Sequence, residues 1–529
     1  MSRTLRIHSA MAVNPINLRN FAIPANAVLS GLLLFLSFPK FGNGVLAWVA
    51  LLPLFHALRG AKPKDGFKIG FLTGLIAHIG ILYWISHVVV QYGHLPLYAG
   101  IAIMLLLAAY LSLYTAAFAM GVIFLRDRGH AFYLAAPLLW TLLEFIRSYL
   151  LTGFPWENLA YSQYLSRNII QLADITGIYG ISFVIVLINA VLYDVVAARF
   201  HKSRYPIVEV AAACVALLAV YGYGHFRTAD LEATMKKTSS VEVALVQGNI
   251  DQNSKWDERY QAETLDIYRS LSLQSIPAPD GLIVWPETAA PFYFERPGPK
   301  REAVVQLARI SSRSVLFGSP KYVEENGKVS FMNSAYLLRP DGVVAGRYDK
   351  VHLVPYGEYV PLRQFFPFIG KLVAGVGDFR PGRGFDPLAD NGRRLGILIC
   401  YEGIFPEAAR SYKMKGADLL VNITNDAWFG RTSAPYQHLS MTVFRAIENR
   451  LYLVRAANTG VSAVIDPTGA IQSQTDIFKR TVLKGEVKFI DESTLYAAYG
   501  DLFVYLCGLM LILTDFILKR RWKHAGRYS

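Results

Sequence analysis

The chain has 529 residues, 53% of them hydrophobic and 17% charged, with a mean hydropathy of +0.31. It is too apolar and too weakly charged for an ordinary soluble protein. The net charge of +14 would suit a nucleic-acid binder, but Thr228 to Ser493 carry 32 Lys/Arg against 30 Asp/Glu, so the excess lies elsewhere and argues against that partner.

Apolar stretches of bilayer-spanning length recur through the N-terminal part of the chain. They lie near Ala22–Phe38, Gly44–Leu58, Phe67–Val90, Leu97–Leu125, Ala131–Leu151, Ile169–Val196 and Pro206–Tyr223, with a last one at Tyr499–Leu518. The second is short for a full crossing. The first is not a signal peptide, because Ser37-Phe38-Pro39-Lys40 is a poor cleavage site and more spans follow.

With the N-terminus cytoplasmic, the cytoplasmic segments hold 17 basic residues, from Arg3, Arg6 and Arg19 through Arg59, Lys62, Arg126 and Arg199 to the tail of Lys519, Arg520, Arg521, Lys523 and Arg527. The short loops of the other side hold few, Lys40 and Arg167 among them. This asymmetry predicts eight spans with both termini inside. The expected organisation is a transmembrane domain at 1–227, an extracytoplasmic α/β domain at 228–495, and a final span with a basic tail at 496–529. In a bacterium the module would face the periplasm.

Within the module, strand-like runs at Val241–Val246, Leu282–Trp285, Val315–Gly318, Ala335–Leu338, Leu395–Ile399, Leu419–Ile423 and Leu451–Ala456 alternate with amphipathic stretches such as Glu263–Leu273 and Glu302–Ser312. Pro467-Thr468-Gly469 reads as the turn of a hairpin within Ser462–Ile471. The pattern predicts one α/β domain with helices packed over sheets.

Cys400 is the only cysteine in the module; Cys214 and Cys507 sit in apolar runs. It ends the strand Leu395–Ile399 and is followed by Tyr401-Glu402-Gly403, the placement of a nucleophile on a turn. An inert buried thiol is the alternative, but an unpaired cysteine on the oxidising side of a membrane favours chemistry. The sequence has no H-E-x-x-H, zinc-spaced cysteine pair, G-x-G-x-x-G or Walker A loop. Glu287 follows the strand Ile283-Val284-Trp285, and Lys350 lies in Tyr348-Asp349-Lys350-Val351-His352. A carboxylate to take the thiol proton and an ammonium to stabilise thiolate and oxyanion complete a workable set. Spacing alone leaves open a structural salt bridge between the two.

Trp285-Pro286-Glu287, Asp349-Lys350-Val351-His352-Leu353-Val354-Pro355 and Cys400-Tyr401-Glu402 resemble the signatures of the nitrilase superfamily, whose Glu-Lys-Cys triad maps onto Glu287, Lys350 and Cys400. With the flanking spans, Gln247-Gly248-Asn249, Pro355-Tyr356-Gly357-Glu358 and Gly153-Phe154-Pro155-Trp156, nearly the whole chain resembles the apolipoprotein N-acyltransferase family of bacterial inner-membrane enzymes. The resemblance implies a multi-span helical membrane domain of about eight helices joined to an α-β-β-α sandwich. It implies transfer of an acyl chain from a phospholipid, typically phosphatidylethanolamine, through a Cys400 thioester to the N-terminal amine of a diacylglyceryl-cysteine apolipoprotein. That scheme is ping-pong and needs no cofactor or metal, and a monomer is expected to carry it out. Glu358, Tyr401 and Glu402 match supporting positions of the family, and Trp256 matches a tryptophan on a mobile arm at the substrate entrance. The run Phe365-Phe366-Pro367-Phe368-Ile369 is too apolar for a solvated loop and is expected to admit acyl chains from the membrane. A membrane-tethered amidase would use the same triad. A transporter with an inactive outer domain is a further alternative, kept open by Glu144, Arg147 and Asp194 in or near spans.

Overall fold

The computed structural model describes residues 15–201, 204–325, 328–360 and 379–525. The N-terminal part is helical: α1 (Pro15–Leu36), a 3-10 turn at Gly44–Trp48, α2 (Leu52–Ala57), α3 (Pro63–Leu82), α4 (Trp84–Gly93), α5 (Leu97–Asp127), α6 (Phe132–Tyr149), the short α7 (Arg167–Ile170) and α8 (Ala173–Thr176), α9 (Ile178–His201) and α10 (Ile207–Lys237).

The expected second span is not one helix. The 3-10 turn and α2 make two short pieces of roughly 10 Å each, against an apolar bilayer core of about 30 Å. Pro53 at the start of α2 donates no backbone hydrogen bond, and Asn189 of α9 serves the break between the pieces. Its side chain accepts from Leu51 N (2.9 Å) and donates to Ala47 O (2.9 Å). Irregular backbone at such depth is tolerated only when protein groups satisfy it in this way.

The span expected to start at Ile169 begins at Ile178 instead. Gly177, at φ +61°, separates α9 from α7 and α8. Residues of that short pair hold the module: Asp174 pairs with the buried Arg450 at 2.6 Å, and Gln171 Oε1 accepts from the same guanidinium at 2.6 Å.

α10 runs unbroken for 31 residues, about 46 Å, longer than a bilayer core requires. Its far end carries the chain directly to the first strand. Lys488 donates to Met235 O at 2.7 Å, so helix and sheet are joined there.

The strands are β1 (Ser240–Gln247), β2 (Leu282–Val284), β3 (Ser314–Glu325), β4 (Lys328–Leu338), β5 (Val344–Asp349), β6 (Leu388–Asp390), β7 (Arg393–Ile399), β8 (Leu419–Thr424), β9 (Tyr452–Ala457), β10 (Ala463–Ile465), β11 (Ile471–Gln474) and β12 (Thr481–Lys488). They form two six-stranded sheets, ordered β12-β1-β2-β3-β4-β5 and β11-β10-β9-β8-β7-β6. Each has three parallel strands at its centre, β1-β2-β3 or β7-β8-β9, flanked by antiparallel ones.

Alternation along the strands separates the layers. Val243, Leu245, Leu282, Val284 and Leu316 belong to one apolar cluster with residues of the second sheet. Their neighbours Ala244, Val246, Ile283, Trp285 and Phe317 pack instead with α11 (Glu258–Gln274) and α12 (Pro299–Ser311). A period of two thus sends successive side chains to opposite faces. The outer face of the second sheet is covered by α13 (Pro406–Met414) and α14 (Ala434–Asn449), completing an α-β-β-α sandwich. After the module come α15 (Leu495–Tyr499) and α16 (Leu502–Ala525).

Among the described residues six helices are long and apolar enough to cross a membrane: α3, α5, α6, α9, α10 and α16. The expected first span corresponds to the shorter apolar stretch Ala22–Leu36.

Fifteen of the sixteen residues of α14 are buried, because it lies between the second sheet and the membrane helices. Gln437 of α14 accepts from Trp84 Nε1 (3.2 Å) and Trp156 Nε1 (2.9 Å) and donates to Ile81 O (3.2 Å). Around it Trp84, Trp156 and Phe429 pack edge to face or tilted, with ring centroids 4.9–6.1 Å apart. Phe429 is therefore part of the joint between bundle and module.

Candidate active site

Four chain segments meet where strands of both sheets end. Glu287 comes three residues after β2, Lys350 directly follows β5, Cys400 follows β7, and Asn425 follows β8. Carboxyl ends of parallel strands are where α/β proteins place their ligands. Gly318 of β3 is what lets strand and Glu287 loop close together: a Cβ there would collide with Thr288 N and Glu287 Cα.

Cys400 adopts φ +53°, and the chain turns at once into a 3-10 helix at Cys400–Ile404. A left-handed cysteine costs on the order of 1–3 kcal/mol and persists only where its surroundings fix it. Glu402 provides much of that fixing. Its Oε1 accepts from Tyr348 Oη (2.7 Å), Val351 N (2.8 Å) and His352 N (3.0 Å), and its Oε2 from Ile399 N (2.7 Å). The fully buried carboxylate thus ties the cysteine turn to the lysine segment. Burial pushes its pKa up to about 7, against the pull of the His352 and Ile399 N–H groups.

Beneath the turn, His438 Nε2 contacts Cys400 O at 3.2 Å, and Asp426 links His438 (3.1 Å) to the buried Arg455 (2.7 Å). Arg455 and His438 outweigh burial and hold the Asp426 carboxyl below its usual range. This network fixes the turn from the side of α14.

Glu287 is buried at 6% exposure. Its Oε1 accepts from Asn333 Nδ2 (2.7 Å) and its Oε2 from Asn425 N (2.9 Å). Lys350 Nζ lies 3.9 Å from Glu287 Oε1 and 2.9 Å from Glu358, and it is 1% exposed. Asn333 Nδ2 also donates to Glu358 at 3.1 Å, and Glu358 Oε2 accepts from Val354 N at 2.7 Å. One amide and one ammonium therefore each bridge the same two carboxylates.

Burial alone would lower the Lys350 pKa, but Glu358 and then Glu287 outweigh it and keep the group firmly ammonium. The Cys400 thiol is pushed well above its ordinary value, first by burial and then by the negative Glu287, with Lys350 pulling it back. Attack by this thiol would therefore need a base to take its proton as the bond forms.

The structure brings Glu287, Lys350, Glu358, Cys400 and Glu402 together. Tyr401 packs on Phe405 (4.9 Å) and His352 (5.9 Å), and its hydroxyl has no partner among the described residues. Trp256 is 37% exposed on the turn before α11, on the rim of an open cavity of about 570 Å³ with Phe292, Arg296, Lys300 and Phe331. Phe365, Phe366 and Phe368 lie outside the described residues. Asn333 and the buried Lys255 carried no signal in the sequence. Asn333 is an isolated polar residue ahead of the apolar run Ala335–Leu338, and a lysine beside a tryptophan in a polar turn reads as surface charge.

Glu144 and Arg147, which left a transport pathway open, are occupied in stitching α6 to the following loop. Glu144 accepts from Leu159 N at 2.7 Å, and Arg147 bonds Asn158.

Residues 30–191 match the apolipoprotein N-acyltransferase N-terminal domain, and residues 242–493 match the carbon-nitrogen hydrolase domain. An apolipoprotein N-acyltransferase of Geobacter metallireducens is 49% identical over 485 residues, 91% of this chain and 92% of the relative. Enzymes of the same name from Pasteurella multocida and Haemophilus influenzae are 32% and 31% identical, each over 92% of this chain and 94% or 93% of their own length.

Proposed function

The chain belongs to the apolipoprotein N-acyltransferase family, and from that premise we propose that Glu287, Lys350 and Cys400 carry its acyl transfer to the lipoprotein amine. The observation that carries the assignment is the joint anchoring of Glu287 and Lys350: both are buried, 3.9 Å apart, and held through Asn333 and Glu358 beside a cysteine in a strained turn.

The donor is a phospholipid, with phosphatidylethanolamine the expected class. Glu287 takes the thiol proton as Cys400 Sγ bonds to the ester carbonyl carbon. Lys350 stabilises the oxyanion that forms. Collapse breaks the ester C–O bond, and the lysophospholipid leaves with the proton held by Glu287. The thioester then meets the α-amine of the diacylglyceryl-cysteine. The amine attacks the same carbon and loses its proton to Glu287. The C–S bond breaks, restoring the thiol and leaving an amide. Thioesters yield readily to amines, so exclusion of water rather than raw reactivity decides transfer against hydrolysis.

A hydrolase of small soluble amides would share these residues, but family membership and the membrane bundle locked onto the module favour the transferase. Protein incubated with phospholipid alone is expected to accumulate a hydroxylamine-sensitive acyl adduct on Cys400, seen by mass spectrometry. Turnover of soluble amides with no such adduct would favour the hydrolase.

The protein is a membrane protein with several apolar helices. Its placement in the bacterial inner membrane, with both termini cytoplasmic and the module outside, is proposed from family membership and the distribution of basic residues, and a monomer is the expected acting unit. A reporter active only in the cytoplasm should be silent when fused near Gln274 and active when fused after Arg527. The opposite pattern would place the module on the wrong side for a lipoprotein acceptor.

A further inference from the structure

A second buried ammonium stands at the triad. Lys255 is 0% exposed, and its Nζ donates to the backbone carbonyl of Glu287 at 3.1 Å. Its neighbour Trp256 is 37% exposed, so the turn changes from buried to open within one residue. The buried side of that turn is fixed from the second sheet. Asn425 Nδ2 donates to Gln252 Oε1 at 2.6 Å, Asn458 Nδ2 to Asn425 Oδ1 at 3.0 Å, and Asn458 Oδ1 accepts from Ile250 N at 2.9 Å. Asn425 is also the residue whose N–H holds Glu287 Oε2. One ladder of amides therefore sets Lys255 and Glu287 against each other.

Burying an ammonium costs several kcal/mol even after relaxation. A neutral donor would hold a carbonyl equally well, so the charge itself needs a reason. The carboxylates acting on Cys400 are Glu287 and Asp426, and the nearby Lys350 is already bonded to Glu358. Moving the thiol proton to Glu287 leaves the net charge unchanged but carries the negative charge onto sulfur and then onto the substrate oxygen. A fixed cation serving both Glu287 and Cys400 is useful at each stage.

We propose that Lys255 is a positioning residue for acyl transfer: its ammonium anchors the Glu287 main chain and supplies the second positive charge that the Cys400 thiolate requires. The proposal rests on the triad reading above. Burial lowers the Lys255 pKa to about 8, with Glu287 and Cys400 drawing it back up. The groups bearing on Cys400 in turn are Glu287, Lys350 and Asp426.

The test is the rate of Cys400 alkylation by iodoacetamide at neutral pH, where Lys255 still carries its charge, read by mass spectrometry of the Cys400 peptide from detergent-purified protein. Lys255→Gln keeps a hydrogen-bond donor and removes the charge. Its alkylation should slow about tenfold, the loss of thiolate that a rise of about one unit in the thiol pKa brings. Loading of Cys400 from phosphatidylethanolamine vesicles should fall about as far, and Lys255→Arg should restore both. A wild-type rate in Lys255→Gln, or an equal loss in Lys255→Arg, overturns the proposal. Lys350→Met in the same assay separates the two ideas. If it slows alkylation and Lys255→Gln does not, only the Lys255 proposal falls; if neither does, the triad reading falls with it.

Discussion

Cys400→Ala should lower both acyl loading from phospholipid and transfer to the lipoprotein amine by on the order of 10⁴-fold or more, with the folded protein retained. The nucleophile is lost outright, since neither Cys214, exposed among the helices, nor the buried Cys507 belongs to the module. Folding survives because alanine meets much the same left-handed strain as cysteine at this position, and only one sulfur is removed from a partly exposed site. Cys400→Ser should fail almost as completely. Desolvation by its surroundings already makes the thiol costly to ionise, a serine hydroxyl is far more so, and Lys350 cannot close that gap. Mass spectrometry of the Cys400 peptide after incubation with phosphatidylethanolamine, alongside thermal unfolding in detergent, reads both expectations. Loading above about a few per cent of wild type in Cys400→Ala would remove Cys400 from the nucleophile's role.

Lys350→Met should be damaging twice over. Losing one preorganised oxyanion stabiliser costs about 10²–10³ in rate. The substitution also strands Glu358 and Glu287 in a buried cluster with no ammonium between them, and breaking a buried pair from one side typically costs about 3–5 kcal/mol. Glu358→Gln should be gentler. Lys350 keeps Glu287 at 3.9 Å, and the amide oxygen can still accept from the ammonium. Parallel loading assays and melting curves therefore should rank Lys350→Met well below Glu358→Gln on both measures. Equal damage from the two would mean that Lys350 only balances Glu358 and takes no part in the reaction.

The buried centre of the sandwich was legible because its strands are short apolar runs with a carboxylate, an ammonium or a thiol just past their ends. Trp285-Pro286-Glu287 and Ile399-Cys400-Tyr401 announce themselves in this way. The flanking strands β5, β6 and β12 did not, because they are short or mix charged, partly exposed positions with apolar ones. Hydropathy located Gly44–Leu58 but could not reveal its break, whose backbone is satisfied by Asn189, more than a hundred residues further along. Separations of 32 and 46 residues likewise hid Lys255 and Asn333: each is defined by what it meets in space, Glu287 in both cases, and nothing local to either marks the meeting.

With α14 wedged between the second sheet and Trp84, Trp156 and Ile81 of the bundle, parting the cysteine turn from the helices would break the three Gln437 hydrogen bonds and the aromatic packing together. The joint therefore favours a fixed spacing between the Cys400 sulfur and the bundle. A severed module, for its part, would lay bare the face of α14 and the aromatic cluster around Gln437, an apolar patch that favours aggregation over a free-standing soluble enzyme.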